Sequence, residues 1–162
     1  MELQGKYPLE GGCACGAVRY RITSAPIVVH ACHCTWCQRE TGTAFALNAV
    51  MEAGRVELLK GQPEAIDTPS QSGKGQKIWR CPSCRIALWS NYSTAGAAMR
   101  FVRVGTLDTP NALPPDIHIF TSTKQPWVEI PAGSKVFVDF YNAKEVWSKE
   151  ALERWRAGMS SR

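Results

Sequence analysis

The chain has 162 residues, a formal net charge of +5, an apolar share of 44% and a mean hydropathy of −0.21. These values are ordinary for a globular protein and predict one domain over residues 1–162. The sequence contains no run of about 18 apolar residues, so no membrane-spanning helix is predicted. The first residues lack the charged and apolar regions of a signal peptide, so we expect a cytoplasmic chain whose thiols stay reduced.

Short strands make up most of the predicted secondary structure. Residues 16–23 alternate, with Val18, Tyr20 and Ile22 on one face, which is typical of a half-buried strand. Further strands are predicted at residues 27–31, 44–50, 55–60, 76–80, 86–91, 99–105 and 135–140. Turns rich in glycine and proline separate them. This pattern predicts a mainly β domain, either a sandwich or an irregular arrangement of several sheets.

Two helices are predicted in addition to the strands. A short one covers residues 35–41 and ends at Gly42. A C-terminal helix begins near Asn142, with Glu145 three residues later as its capping partner. Gly158 has the position expected of the glycine that follows the last helical turn.

Seven cysteines form three tight clusters, and their spacing is typical of metal ligands. The clusters are Cys13 and Cys15; Cys32, Cys34 and Cys37; and Cys81 and Cys84. In a C-x-C segment both side chains share one face of an extended strand. Tetrahedral Zn–S bonds of ~2.3 Å need sulfurs roughly 3.8 Å apart, which such a segment can provide. An odd number of cysteines does not favour a framework of disulfides.

The clusters can be combined in more than one way. If the two pairs close a four-thiolate site, the triplet can hold a second ion and keep one coordination position open. A closed zinc site is usually structural, whereas three protein ligands and an open position are typical of catalytic zinc. A rival arrangement takes part of the triplet into the four-cysteine site, and buried thiols without metal are a further alternative. We favour the first arrangement because it uses every cysteine.

Several segments together resemble the glutathione-dependent formaldehyde-activating enzyme family. They are GGCACGAVRY at residues 11–20, CHCTWCQR at 32–39, TG at 41–42, CPSC at 81–84 and HIFTSTKQPW at 118–127. The same domain occurs in centromere protein V. The resemblance implies a mainly β, Mss4-like fold of packed small antiparallel sheets, with a short helix after the cysteine triplet and a C-terminal helix. One departure is Arg85, where the family often has a glycine that can adopt a positive φ.

The resemblance also implies a metal scheme with two zinc ions per chain. The structural zinc would be bound by Cys13, Cys15, Cys81 and Cys84. The catalytic zinc would be bound by Cys32, Cys34 and Cys37, which are the predicted catalytic residues.

The implied activity is that of a carbon–sulfur lyase, similar to S-(hydroxymethyl)glutathione synthase. It is the reversible addition of glutathione, or a similar thiol, to formaldehyde or a related aldehyde, with the thiolate at the open position of the three-cysteine zinc. Three thiolates give a Zn²⁺ site a net charge of −1, and a fourth gives −2. A cation is therefore expected nearby, and Arg39 is the best placed by sequence. Arg39 is also a candidate for binding a carboxylate of glutathione.

Other side chains near these motifs are expected to have structural roles. Strand alternation turns His33 away from the metal, and His30 and His118 are interpreted as sheet residues. Trp36 is equally compatible with a pocket floor and with packing. Trp147 and Trp155 lie on one face of the C-terminal helix and are interpreted as core contacts.

Two other functions compete with the enzyme. One is a zinc-stabilised module that binds protein or nucleic acid without catalysis, and the other is a thiol-based metal or redox sensor. The basic residues are scattered rather than gathered in a run, so nucleic acid is not the expected partner. An open metal position favours the enzyme, because a binding module does not need one.

Overall fold

The computed structural model describes residues 6–160, which form two sheets and three helices. In chain order the strands are β1 (Leu9–Gly12), β2 (Arg19–Ile22), β3 (Val28–Cys32), β4 (Ala46–Glu52), β5 (Val56–Lys60), β6 (Glu64–Thr68), β7 (Gln76–Arg80), β8 (Ala87–Tyr92), β9 (Met99–Arg103), β10 (Ile117–Ile119) and β11 (Lys135–Val136). The helices are α1 (Thr35–Thr41), α2 (Ala143–Val146) and α3 (Lys149–Ser160). The predicted fold class, mainly β with a helix after the triplet and a C-terminal helix, is confirmed.

The smaller sheet has three antiparallel strands in the order β1-β2-β5. The larger sheet has eight strands in the order β11-β10-β3-β4-β9-β8-β7-β6. Strand β10 pairs in parallel with both β3 and β11, and the other pairs of this sheet are antiparallel. The order brings the central strands β3, β4 and β9 side by side, although β9 follows β4 by almost fifty residues along the chain.

The main core contains side chains from both sheets. Tyr20 and Ile22 of β2 are fully buried, as the alternation of this strand predicts, and so is Met51 of β4. Trp89 of β8 meets Tyr20 edge to face, with ring centroids 5.7 Å apart. Each such buried apolar side chain contributes about 1.5–3 kcal/mol to folding. A second cluster contains the cysteine triplet and Val28, Val50, Ile117 and Ile119, and the C-terminal segment packs against it.

The C-terminal helix differs from its prediction in two ways. It is divided into α2 and α3, because Trp147 has an extended backbone with φ −81° and ψ 153°. Asn142 does cap α2: its side chain accepts a hydrogen bond from the N–H of Lys144 at 3.2 Å. The prediction that Gly158 follows the last turn is wrong, because this residue lies inside α3. A Cβ at Gly158 would lie 2.5 Å from the terminal carbon of Met99, so α3 packs closely against this side chain, which would have to move if the glycine were replaced.

Three strands were not predicted, namely β1, β6 and β10. Strand β6 is mostly exposed and β10 has three residues, so neither has an alternating pattern long enough to recognise. The bounds of β7 and α1 agree with their predictions. Within residues 6–160, no helix has both the length and the apolar character needed to cross a bilayer.

Candidate metal centres

Four cysteines from two distant segments meet in one cluster. Cys13 and Cys15 follow β1, and Cys81 and Cys84 follow β7. All four sulfurs lie within 4.8 Å of one another, with 3.5 Å between those of Cys13 and Cys15 and 3.7 Å between those of Cys15 and Cys81. None forms a disulfide. These separations are close to the roughly 3.8 Å that tetrahedral Zn–S bonding requires, so the donor set fits zinc.

Backbone geometry prepares this cluster for anionic sulfur. The N–H of Val18 donates to the Cys13 sulfur at 3.3 Å. The N–H of Ile86 lowers the pKa of Cys84 to about 6, which favours its thiolate. Arg85 has φ 63°, the left-handed conformation expected where the family often has glycine. Its N–H donates to the Cys81 carbonyl at 3.0 Å, so the turn forms despite the side chain.

The cysteine triplet forms a second cluster at the start of α1. Cys32 ends β3, and Cys34 is the residue that caps α1: its sulfur accepts a hydrogen bond from the N–H of Cys37 at 3.3 Å. The three sulfurs lie within 4.8 Å of one another and are buried and free. Hydrogen bonds from Cys32 and then Cys37 lower the pKa of Cys34 to about 3, against the effect of burial. The hydrogen bond to Cys34 raises the pKa of Cys32, and the pKa of Cys37 is also raised, so the negative charge is concentrated on Cys34. The three sulfur donors together fit a thiophilic ion such as zinc.

The two clusters differ in their access to open space. Cys32, Cys34 and Cys37 line a cavity of about 440 Å³, whereas the other four cysteines do not line it. A cavity of this size falls within the range of small-molecule sites. Although Cys15 of the four-sulfur cluster is exposed at the surface, the triplet is the cluster that lies on the wall of this cavity.

A row of buried polar side chains crosses the floor of this cavity. His30 of β3 lies opposite Asn48 of β4, and Asn48 lies opposite Arg103 of β9. All three residues line the cavity and are at least nine-tenths buried. Burial lowers the pKa of His30 to about 4, so its imidazole is neutral at pH 7.

Arg103 is the charged member of this row. One terminal nitrogen of its guanidinium donates to the side-chain oxygen of Asn48, and its Nε–H has no protein partner. None of the ion pairs within residues 6–160 involves Arg103. Arg103 thus provides a fixed positive charge beside the triplet.

The residues singled out from the sequence occupy different places. Arg39 lies on the exposed face of α1 and does not line the cavity, whereas Trp36 lines it and is 41% exposed. His33 lies outside the sulfur cluster, as strand alternation predicts, and its Nε2 is 3.0 Å from Nδ1 of His118. Trp155 lines the cavity as well as packing against the second core cluster.

Sequence reasoning missed Asn48 and Arg103. A signal for Arg103 was present, because Met99, Phe101 and Arg103 alternate on one face of β9 and end in a charge. That this charge lies beside the cavity depends on the pairing of β9 with β4, which the sequence does not reveal.

The fold and the two sulfur clusters define a class of small, cysteine-rich β proteins with a four-sulfur candidate metal centre and a three-sulfur one that lines a cavity. A family model described as "Glutathione-dependent formaldehyde-activating enzyme" matches residues 8–123, and the chain belongs to this family. The resemblance noted in the sequence is thereby confirmed.

Two further proteins are similar to this chain. A Halomonas elongata protein named "Putative glutathione-dependent formaldehyde-activating enzyme" is 27% identical over 128 residues, which are 75% of this chain and 80% of the relative. A crystal structure of a Rhodobacter sphaeroides protein is also similar, with a TM-score of 0.47 and 20% sequence identity. The matched region covers 62% of this chain and 88% of the Rhodobacter chain.

Proposed function

We propose that this protein is a carbon–sulfur lyase-type enzyme that reversibly adds glutathione, or a similar thiol, to formaldehyde or a related aldehyde. The observation that carries the proposal is the position of the three-sulfur cluster on the wall of a cavity from which the four-sulfur cluster is absent. Family membership supports glutathione and formaldehyde as the reactants. The name of the Halomonas relative points to the same chemistry.

We assign zinc to both clusters. Cys13, Cys15, Cys81 and Cys84 would hold a structural ion, and the triplet would hold the ion used in catalysis. The sulfur separations support this assignment, as does the absence of disulfides among the seven cysteines. Zinc bound by the triplet would have an open coordination position for a substrate thiol, and its charge would lower the pKa of that thiol. Seven reduced cysteines also support a cytoplasmic location.

Arg103 balances the negative charge of the site in this proposal. Three cysteine thiolates outweigh the charge of a dication, and a substrate thiolate adds a further negative charge. A guanidinium that is 6% exposed and has no carboxylate partner offsets this excess at short range. Arg39 stays a prediction as a contact for a carboxylate of the thiol, since it lies outside the cavity lining.

The reaction needs no oxidant or reductant. A carbon–sulfur bond forms between the thiolate and the aldehyde carbon while the carbonyl π bond breaks. The carbonyl oxygen takes up a proton and becomes a hydroxyl group, and the reverse sequence releases the thiol and the aldehyde. The positive charge of Arg103, a residue that lines the cavity, is suited to stabilising negative charge on the sulfur or on the developing alkoxide.

Cobalt substitution tests the proposal. Glutathione added to the Co²⁺-loaded protein should increase a thiolate-to-cobalt charge-transfer band, and Cys34→Ser should abolish the increase. Trp127→Ala is the matched control, because Trp127 is 72% exposed and lies outside the cavity lining. An unchanged spectrum at millimolar glutathione would contradict the proposal and favour the binding module without catalysis, which has no use for an accessible sulfur cluster.

A further inference from the structure

The lining of the cavity beside the triplet contains two groups of chemically different side chains. Polar ones come from the segment around the start of β7, with Gln71, Ser72, Lys74 and Gln76. Apolar ones, here called the apolar wall, come from later parts of the chain, with Ile119, Phe120, Phe140 and Trp155. The three sulfurs line the same cavity, and so do Trp36, Tyr92 and Phe101. A ligand held at the sulfurs therefore shares one cavity with polar groups and with aromatic rings.

The aromatic rings face open space and do not fill it. Phe140 is 57% exposed, although its ring stacks on Tyr141 with centroids 4.9 Å apart and lies 6.0 Å from the ring of His30. If these side chains served only to pack the fold, they would close the cavity. They leave about 440 Å³ of space instead, which is room for an apolar group.

The backbone holds one of these rings in a strained conformation. Phe120 has φ 55°, in the left-handed region that bulky side chains rarely adopt. Its N–H donates to the carbonyl of Asp139 at 3.0 Å, and its ring lies 6.2 Å from that of Phe140. Strain of this kind persists where surrounding contacts over-determine it, and it concentrates at binding sites.

Much of the apolar wall lies beyond the part of the chain that matches the family model. That match ends at residue 123, and the wall residues Phe140 and Trp155 follow it. A chain of hydrogen bonds ties this segment to the cavity floor. The hydroxyl of Tyr141 lies 2.6 Å from Nε2 of His30 and accepts a hydrogen bond from the indole of Trp147 at 2.5 Å. The wall is thus fixed to the site, although it is not a feature of the matched segment.

We propose that the preferred aldehyde of this enzyme carries an apolar group of about the size of a phenyl ring, and that Phe120, Phe140 and Trp155 bind this group. The inference rests on the proposed function. Formaldehyde has hydrogen atoms on both sides of its carbonyl carbon and gains nothing from an aromatic wall. In the adduct of a larger aldehyde, the new C–S–C linkage would lie at the sulfur cluster. The polar remainder of the thiol compound would then lie against Lys74 and Gln76, and the apolar group of the aldehyde would face the aromatic rings.

Two unreactive thioethers test this preference by binding alone. S-benzylglutathione has the carbon skeleton of the benzaldehyde adduct, and S-methylglutathione has that of the formaldehyde adduct. Calorimetry with the zinc-loaded protein should give a dissociation constant roughly 10- to 100-fold lower for the benzyl compound, since burying a phenyl-sized group is worth about 1.5–3 kcal/mol. Phe140→Ala should reduce this ratio to a few-fold, and Trp127→Ala should leave it unchanged.

Trp155→Ala provides a second variant, because Phe140 and Trp155 lie on different elements and need not affect folding alike. Both variants should lower the ratio of kcat/KM for benzaldehyde over formaldehyde by about 10-fold. Equal affinities for the two thioethers, no binding of either, or an unchanged ratio in both variants would overturn the inference. Failure of the proposed function gives a different result, namely no cobalt–thiolate band with glutathione itself.

Discussion

Arg103 lies at the end of β9 with its guanidinium buried among the groups that line the cavity. A buried charge without a partner costs several kcal/mol, so such a residue is retained where an opposite charge compensates it. In the proposed zinc site, the excess negative charge of three thiolates over a dication would supply that compensation. We therefore expect Arg103 and the metal-loaded triplet to depend on each other electrostatically, with a substrate thiolate adding to the charge that Arg103 stabilises.

Substitution of Arg103 tests this dependence. Arg103→Gln keeps a hydrogen-bond donor near Asn48 but removes the charge, so it should weaken glutathione binding to the cobalt protein by roughly 10- to 100-fold. Arg103→Lys should lie between this variant and the original chain, because it keeps the charge and loses the planar donor group. The charge-transfer titration gives these dissociation constants.

Arg39→Gln is the comparison for this experiment, since Arg39 is exposed and lies outside the cavity lining. It should weaken binding by a smaller factor than Arg103→Gln does. If the order is reversed, the charge that matters for thiol binding is that of Arg39, and Arg103 has a different role.

At the residue scale, the sequence predicted the sulfur clusters well and their surroundings poorly. C-x-C and C-x-x-C segments bring the sulfurs of one segment together through a few local dihedral angles, so each set of neighbouring cysteines is visible in the chain. That the first and last sets meet was inferred instead from the number of ligands. The position of Arg103 beside the triplet depends on a pairing between distant strands, which no local pattern encodes.

Among the elements, α1 and α3 differ in what holds them. Helix α1 has seven residues, begins at the cap formed by Cys34 and ends at Gly42, so local signals define it and the sequence predicted its bounds. Helix α3 is held by tertiary contacts. The guanidinium of Arg154 forms two hydrogen bonds to the Glu52 carboxylate, at 2.9 and 2.7 Å, and both side chains are largely buried.

We expect this ion pair to anchor α3, and with it the wall residue Trp155. A double-mutant cycle with Glu52→Gln and Arg154→Gln should give a coupling energy of about 1–2 kcal/mol from denaturant unfolding of the zinc-loaded protein. Hydrogen exchange of the α3 amides should accelerate in each single variant. A coupling energy near zero would show that packing alone holds the helix. Lys149 and Glu153 form the control pair, because they are exposed and should couple by a few tenths of a kcal/mol at most.

At the scale of the whole molecule, the proposed function assigns a different task to each sulfur cluster. The four-sulfur cluster joins the segment after β1 to the segment after β7, which belong to different sheets. The triplet lies at the end of β3, where the central strands, the segment around the start of β7 and the C-terminal segment meet around one cavity. The sequence predicted the mainly β class and the grouping of the cysteines into a set of four and a set of three, and the division of tasks between them stays a prediction. The cavity arises from segments far apart in the chain and had no local signature.

The zinc content of single-site variants, measured by native mass spectrometry, tests this division most directly, because one spectrum reports both the metal bound and the compactness of the chain. Cys34→Ser should give a compact protein with one zinc ion, and Cys81→Ser should give an expanded chain, since a structural zinc supplies folding free energy. If Cys34→Ser is the variant that expands, or if it stays compact and retains two zinc ions, the assignment of a structural four-sulfur site and an accessible three-sulfur site is wrong.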